Sequence, residues 1–354
     1  MTLRRVQVTD FRCLQSVALD LDPRFTLISG ANASGKTSLL EALYVLGRGR
    51  SFRTRRLEHL IRRGADRFVV FGEVDSFQRS VALGVEGSAT GMRAKLGGSK
   101  VASLAELAPL LPVQIIDPEI HRLIEEGPGR RRRFLDWGVF HVEPNFVTDW
   151  QRYQQALKQR NASLKSRQSR AATEAWDADV VRYGELLSSA RTRYVGLLAG
   201  HAATIARNLL GMELTMAYRS GWARDLSLSE ALRQSLVHDQ ESGATQVGPH
   251  RAELQIRLDD VSVKDRISRG QQKLLAAALL MAQVKLFPQD SPVRPSLLLD
   301  DPAAELDNER LTGLIREVSS QSVQLIVTTL HPEFSEFGVP GLQYRIDRGM
   351  LTRA

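Results

Sequence analysis

The stretch Gly30-Ala31-Asn32-Ala33-Ser34-Gly35-Lys36-Thr37 decides the reading of this chain. It fits the phosphate-loop pattern of glycine, four residues and then Gly-Lys-Thr. Phe25 to Ser29 before it reads as a short buried strand, and Thr37 to Leu46 (TSLLEALYVL) reads as a helix with Gly47 as its stop. Glycines let the backbone curl so that amide N–H groups point at phosphate oxygens, and the helix beginning near Thr37 adds its positive end. Lys36 would bridge the terminal phosphates, with the Thr37 hydroxyl on magnesium. A glycine turn capping an ordinary helix needs neither this spacing nor both flanks, so the sequence predicts a nucleotide site.

A second signal is SLLLDD, Ser296 to Asp301, an apolar strand delivering two carboxylates to its C-terminal edge, where ligands sit in open α/β sheets. Asp300 suits the magnesium role; Asp301, pointing differently, could polarise a water that attacks the γ-phosphate. Alone, the pair reads equally well as turn aspartates before Pro302. The phosphate loop decides between the two. Asp300 lies 264 residues after Lys36, so something large is inserted between elements that must meet. The expected organisation is a discontinuous ATPase lobe, residues 1–120 and 245–354, around a helical lobe, 121–244. That spacing excludes a small GTPase, and there is no Asn-Lys-x-Asp base-recognition element.

The rest of the 354 residues, 43% hydrophobic and 25% charged, has the composition of a globular chain of two or three domains. A lone cysteine, Cys13, removes intramolecular disulfides and multi-thiolate metal sites. No signal-peptide pattern opens the chain, and the longest apolar run, from Leu274 to Ala282, falls well short of the roughly 20 residues of a membrane span. A cytoplasmic location is expected. Phe68 to Val74, Ser80 to Val85 and Met92 to Leu96 read as an antiparallel meander. Ala175 to Leu210 has an apolar face that includes Leu186 and Leu197 and is long enough for a helix pair. After Gly243 a β/α rhythm returns, with strands at Leu254 to Leu258, Ser296 to Leu299 and Val323 to Thr328, as if the first lobe resumed.

SRGQQK, Ser268 to Lys273, precedes an apolar helix. Read alone, Ser268 is an N-cap. Read with the other motifs, Ser268, Arg269, Gly270 and Gln271 form a second anion site. The γ-phosphate of one subunit is already held by Gly30 to Thr37, so this site would act across a dimer.

GANASGKT, SRGQQK and LLLDDPAAELD (Leu297 to Asp307) together resemble the ABC-type ATPase heads of the SMC-like group. With DFRCL (Asp10 to Leu14), GRSFRT (Gly49 to Thr54), PGRRRRFLD (Pro128 to Asp136) and TQVGPHRAEL (Thr245 to Leu254), nearly the whole chain is similar to the bacterial recombination mediators of that group. The resemblance implies an α/β ABC-type phosphate-loop ATPase head with a discontinuous sheet and an inserted, mostly helical second lobe. It also implies an ATP-dependent homodimer that binds single-stranded and duplex DNA at gaps and junctions. Such a protein acts in recombinational repair, replication restart and SOS induction, with RecR as partner and slow, DNA-stimulated ATP hydrolysis as its switch. Carried over by motif, Gly30 to Thr37 bind ATP, Thr37 and Asp300 hold magnesium, and Asp301 takes the catalytic carboxylate position. Ser268 to Gln271 become the signature that closes on the partner's nucleotide, and Asp307 belongs to the loop facing the same interface. Two departures stand out. Val327-Thr328-Thr329 occupies the place of a switch histidine, with His331 slightly later, and Ala252 follows the arginine of GPHRAEL, leaving Glu253 as the nearest carboxylate.

The net charge is +8, with 40 of the 48 basic residues arginine, and the excess lies in residues 1–244. Arginines between Arg48 and Arg67 face only Glu58 and Asp66. Arg53, Arg55, Arg56, Arg62 and Arg63 are candidates for sequence-independent contact with DNA phosphates. A solvated charged face is the competing reading. Arg130 to Arg133 run directly into Phe134 and Leu135, so some must be structural; pairing with Asp117 and Glu119 is expected. Two other functions remain open on the residues alone: a phosphotransferase acting on a small acceptor, and the ABC ATPase subunit of a transporter.

Overall fold

Alternating buried and exposed positions make Thr2–Phe11 (β1) and Leu14–Asp20 (β2) an antiparallel pair with one face in the core. The computed structural model describes residues 1–75, 80–263, 267–288, 291–304 and 308–354. They fall into two compact units, residues 1–120 with 287–354 and residues 121–286.

The first unit continues with Phe25–Ser29 (β3), Lys36–Arg48 (α1), Arg67–Asp75 (β4), Ser80–Ser88 (β5), Gly91–Leu96 (β6), Ser99–Lys100 (β7) and Val113–Ile116 (β8). The second contains Arg122–Glu125 (α2), Pro128–Val142 (α3), Phe146–Lys165 (α4), Arg170–Glu174 (α5), Asp177–Leu210 (α6), Leu214–Arg219 (β9), Leu228–Ser242 (α7), Glu253–Leu258 (β10), Val261–Ser262 (β11) and Arg269–Lys285 (α8). The chain then returns to the first unit with Ser296–Asp300 (β12), Asn308–Ser319 (α9), Gln324–Thr329 (β13), Leu342–Asp347 (β14) and Met350–Arg353 (β15).

One sheet of the first unit has the order β2-β1-β4-β5-β6-β7 and is antiparallel. The other has the order β15-β14-β3-β13-β12-β8 and is parallel apart from the β14–β15 hairpin. Every residue of β3, β12 and β13 is buried, as expected of parallel strands covered on both faces. Leu39, Leu40, Leu43 and Leu46 of α1 share one core with Val8, Phe11, Phe68 and Val70 of the antiparallel sheet and Leu298 and Ile326 of the parallel sheet. Packing against both sheets explains why α1 is apolar nearly all round. The helix runs through Gly47, where a Cβ would press on the Leu111 carbonyl, and ends at left-handed Gly49.

The second unit keeps residues 245–286 that the sequence pattern assigns to the first. β10 pairs with β9 and β11 in a three-stranded sheet, and α8 packs on α6. The expected boundary at 244 therefore moves to 286. α6 is one continuous helix of 34 residues, with Val180, Leu187, Tyr194, Leu198, Ala202 and Ile205 buried. Leu186 and Leu197, expected on that face, are exposed. No helix among the described residues is long and apolar enough to cross a membrane.

Candidate functional site

Gly30 follows β3, and its amide donates to the Thr329 carbonyl at the end of β13 (3.1 Å). A Cβ at Gly30 would overlap the Ile346 carbonyl, so the loop leaves the sheet here only as glycine. Ala33 (φ 61°) and Gly35 (φ 115°) are left-handed, a backbone alternation that turns amides toward one side. α1 begins without a side-chain cap, which leaves first-turn N–H groups for an anion. Beside them is a cavity of about 330 Å³, lined by Asn32 to Ser38 and by Asp300 and Asp301. Ser34 Oγ is buried there without a hydrogen-bond partner among the described residues, a donor that a phosphate oxygen would satisfy.

The Lys36 ammonium donates to the carbonyls of Gly30 (2.7 Å) and Ala31 (3.0 Å), bonds that a polyphosphate would replace. Burial lowers its pKa, and the charges of Asp301 and Asp300 work against that shift. Asp300 ends β12 beside Thr328 of β13 in the parallel register. Its carboxylate accepts from the Thr37 hydroxyl (3.1 and 2.8 Å) and from the Thr328 hydroxyl (2.8 Å). The predicted phosphate loop and paired carboxylates therefore meet. A threonine hydroxyl and a carboxylate are hard oxygen donors that suit magnesium, which takes one or two protein oxygens and completes its shell with phosphate and water.

Two side chains in or beside the site are given no role by the sequence reading. One is Thr328. The other is Glu41, fully buried on α1, whose carboxylate accepts from Arg12 Nε (2.9 Å) and Nη2 (2.7 Å), from the Ser51 hydroxyl and from Arg53 Nη1 (3.4 Å). A lone carboxylate inside TSLLEALYVL was the available signal, since a buried charge needs partners. Arg53 thus forms part of the cavity wall and pairs with Glu41, a different setting from a uniformly solvated arginine cluster. Arg62 is half-buried against Asp10 (2.6 Å). Arg55, Arg56 and Arg63 are exposed and have no ion pair among the described residues.

In the second unit Ser268 is an N-cap with a reciprocal box: its hydroxyl accepts from the Gln271 amide (3.3 Å), and Gln271 Oε1 accepts from the Ser268 amide (2.9 Å). Ser268 and Arg269 are exposed, Gly270 and Gln271 partly so. Arg131 forks onto Glu253 (2.8 and 2.7 Å), Arg130 pairs with Glu126 and Arg132 donates to the Ala252 carbonyl. α3 packs on β10, which brings these partners together, and they give Glu253 a role. His331 is exposed, 3.7 Å from Glu333. Asp307 lies outside the described residues.

Fold and site together define a phosphate-loop ATPase head of the ABC type, in its SMC-like form. The crystal structure of an Smc head bound to the C-winged helix domain of ScpA matches 100% of this chain and 97% of its own at a TM-score of 0.60 and 17% identity, a likeness of fold. The model of the RecF/RecN/SMC N terminal domain family matches residues 2–344. The DNA replication and repair protein RecF of Pseudomonas syringae pv. tomato is 40% identical over 361 residues, covering 100% of this chain and 98% of its own. A structure of the recombination mediator protein RecF-ATP in the RecFOR pathway superposes with a TM-score of 0.90 at 26% identity over 100% of this chain and 97% of that one. The chain belongs to the RecF family.

Proposed function

We propose that the protein is an ATP-dependent, DNA-binding recombination mediator of the cytoplasm whose ATP-bound form is a homodimer. The observation that supports this reading is the meeting of Thr37 with Asp300, which brings oxygens suited to magnesium together from the two ends of the chain beside the phosphate loop. The loop amides and the released Lys36 ammonium bind the β- and γ-phosphates. Thr37 and Asp300 would hold magnesium, which when bound draws charge from the phosphates. Asp301, in the same cavity, orients the attacking water.

Ser268 to Gln271 of a second copy close on this nucleotide, and hydrolysis, slow and stimulated by DNA, opens the dimer. Arg55, Arg56 and Arg63 contact phosphates of single-stranded or duplex DNA without reading bases. Gapped junctions are the sites of action, in recombinational repair, replication restart and SOS induction. RecR is the partner protein; the pathway named for the structural relative supports this. ATP turnover with and without gapped DNA tests the reading. Stimulation by DNA supports it, while stimulation by a small acceptor and indifference to DNA would favour a phosphotransferase.

A further inference from the structure

We propose that Thr328 is the positioning residue of this site: its hydroxyl orients Asp300 toward the metal and its carbonyl fixes the turn that presents Asp301. This rests on the nucleotide reading above. β13 lies between β3 and β12, so its end borders both halves of the site. Thr329 there accepts the Gly30 amide at the start of the phosphate loop, and the next residue back, Thr328, is fully buried and bonds the Asp300 carboxylate.

A hydroxyl has one proton to give. The 2.8 Å approach to Asp300 Oδ1, against 3.4 Å to the Leu299 carbonyl, assigns it to the carboxylate. The hydroxyl oxygen then faces the Asp301 amide at 3.3 Å, and the Thr328 carbonyl accepts that amide at 3.0 Å. Asp301 has φ 49°, a left-handed conformation uncommon outside glycine, and this bond to its amide helps to hold it.

Thr37 and Thr328 both bond the Asp300 carboxylate, but only the Thr37 hydroxyl would also serve the metal. When Thr37 turns to magnesium, the Thr328 bond stays and keeps the carboxylate in place. Thr328 thus acts on the Asp300 carboxylate and on the Asp301 backbone from inside the sheet.

The experiment is a magnesium titration of the full-length protein with a fluorescent ATP analogue, read as nucleotide binding, for wild type, Thr328→Val, Thr328→Ser and Thr328→Ala. Loss of an outer-shell partner typically costs about 10–100-fold in metal affinity, so Val and Ala should raise the half-saturating magnesium concentration by about tenfold or more. Ser should restore it to near the wild-type value, and binding in EDTA should be the same for all four. Thermal melting identifies any variant that does not fold; should Val fail, Ser against Ala decides. Equal magnesium dependence in folded Val or Ala and wild type would overturn the proposal. So would a Ser variant as defective as Ala, since the methyl would then be what matters. A wild type that binds no nucleotide, or binds it without response to magnesium, overturns the nucleotide reading and this proposal together.

Discussion

The Thr37 hydroxyl donates to Asp300 at 2.8 Å, joining the first turn of α1 to the end of β12. In the proposed site the hydroxyl would supply one neutral oxygen and the carboxylate a charged one, the sparse kind of set that holds magnesium beside nucleotide phosphates.

Asp300→Asn keeps the shape and removes the charge. ATP affinity in EDTA should be unchanged, whereas the gain on adding magnesium should fall by at least the roughly 10–100-fold typical of changes to a ligand's supporting partners. Calorimetry with and without magnesium checks this; an undiminished magnesium response would remove Asp300 from the site.

Glu41→Ala leaves Arg12, and to a lesser degree Arg53, without its carboxylate. Breaking a buried pair on one side costs about 3–5 kcal/mol, and the half-exposed Arg53 places the expected loss near 3 kcal/mol. Urea denaturation measures it, and a change below about 1 kcal/mol would mean that the pair acts as a surface bridge.

His250 is expected to make the second unit sensitive to acid. A carbonyl can only accept, so Nε2 donates to the Thr245 carbonyl (2.9 Å), and Nδ1 accepts the Tyr153 hydroxyl (2.7 Å). Burial pushes the pKa of His250 down from 6.5 to about 4, and nearby Arg251 and Arg132 add to the shift. Between those values the unfolded chain binds the extra proton, so stability is full above pH 6.5 and declines as pH falls toward 4, by about 3 kcal/mol at most. Melting temperatures between pH 4.5 and 7.5 should show this slope in wild type and a flatter one in His250→Gln; parallel slopes would assign it to other groups.

Replacing Arg55, Arg56 and Arg63 together with alanine should weaken DNA binding alike across sequences. On duplex DNA the slope of log K against log salt should shrink by up to about 0.9 for each phosphate that is no longer neutralised. Titrations at three salt concentrations measure the slope, and an unchanged slope would place the DNA elsewhere. Arg53→Ala should instead alter nucleotide binding, because its side chain lines that cavity.

The phosphate loop could be recognised from sequence because its geometry is local: eight residues set every amide and the lysine. SLLLDD was recognisable as a buried strand with a charged end, and the distance from Lys36 foretold the split sheet. Thr328 was not, because its hydrogen bond to Asp300 depends on β13 lying between β3 and β12, an order no local pattern encodes. The boundary after residue 244 failed for a related reason. The alternation of Leu254, Ile256 and Leu258 is the same in any sheet, and only pairing with β9 shows which one owns it. Arg53 and Arg55 could not be told apart inside a charge run, since a buried carboxylate twelve residues before Arg53, Glu41, is what separates them.

Sedimentation of the purified protein without nucleotide, with ADP and with ATP plus magnesium, each with and without gapped DNA at two salt concentrations, tests the nucleotide-gated dimer most directly. A dimer should form only with ATP and carry DNA with it, less so at high salt, while Ser268→Arg should bind ATP and stay monomeric. A monomer under every condition, or a Ser268→Arg protein that dimerises like wild type, would contradict closure of one copy's Ser268 surface on the other's nucleotide.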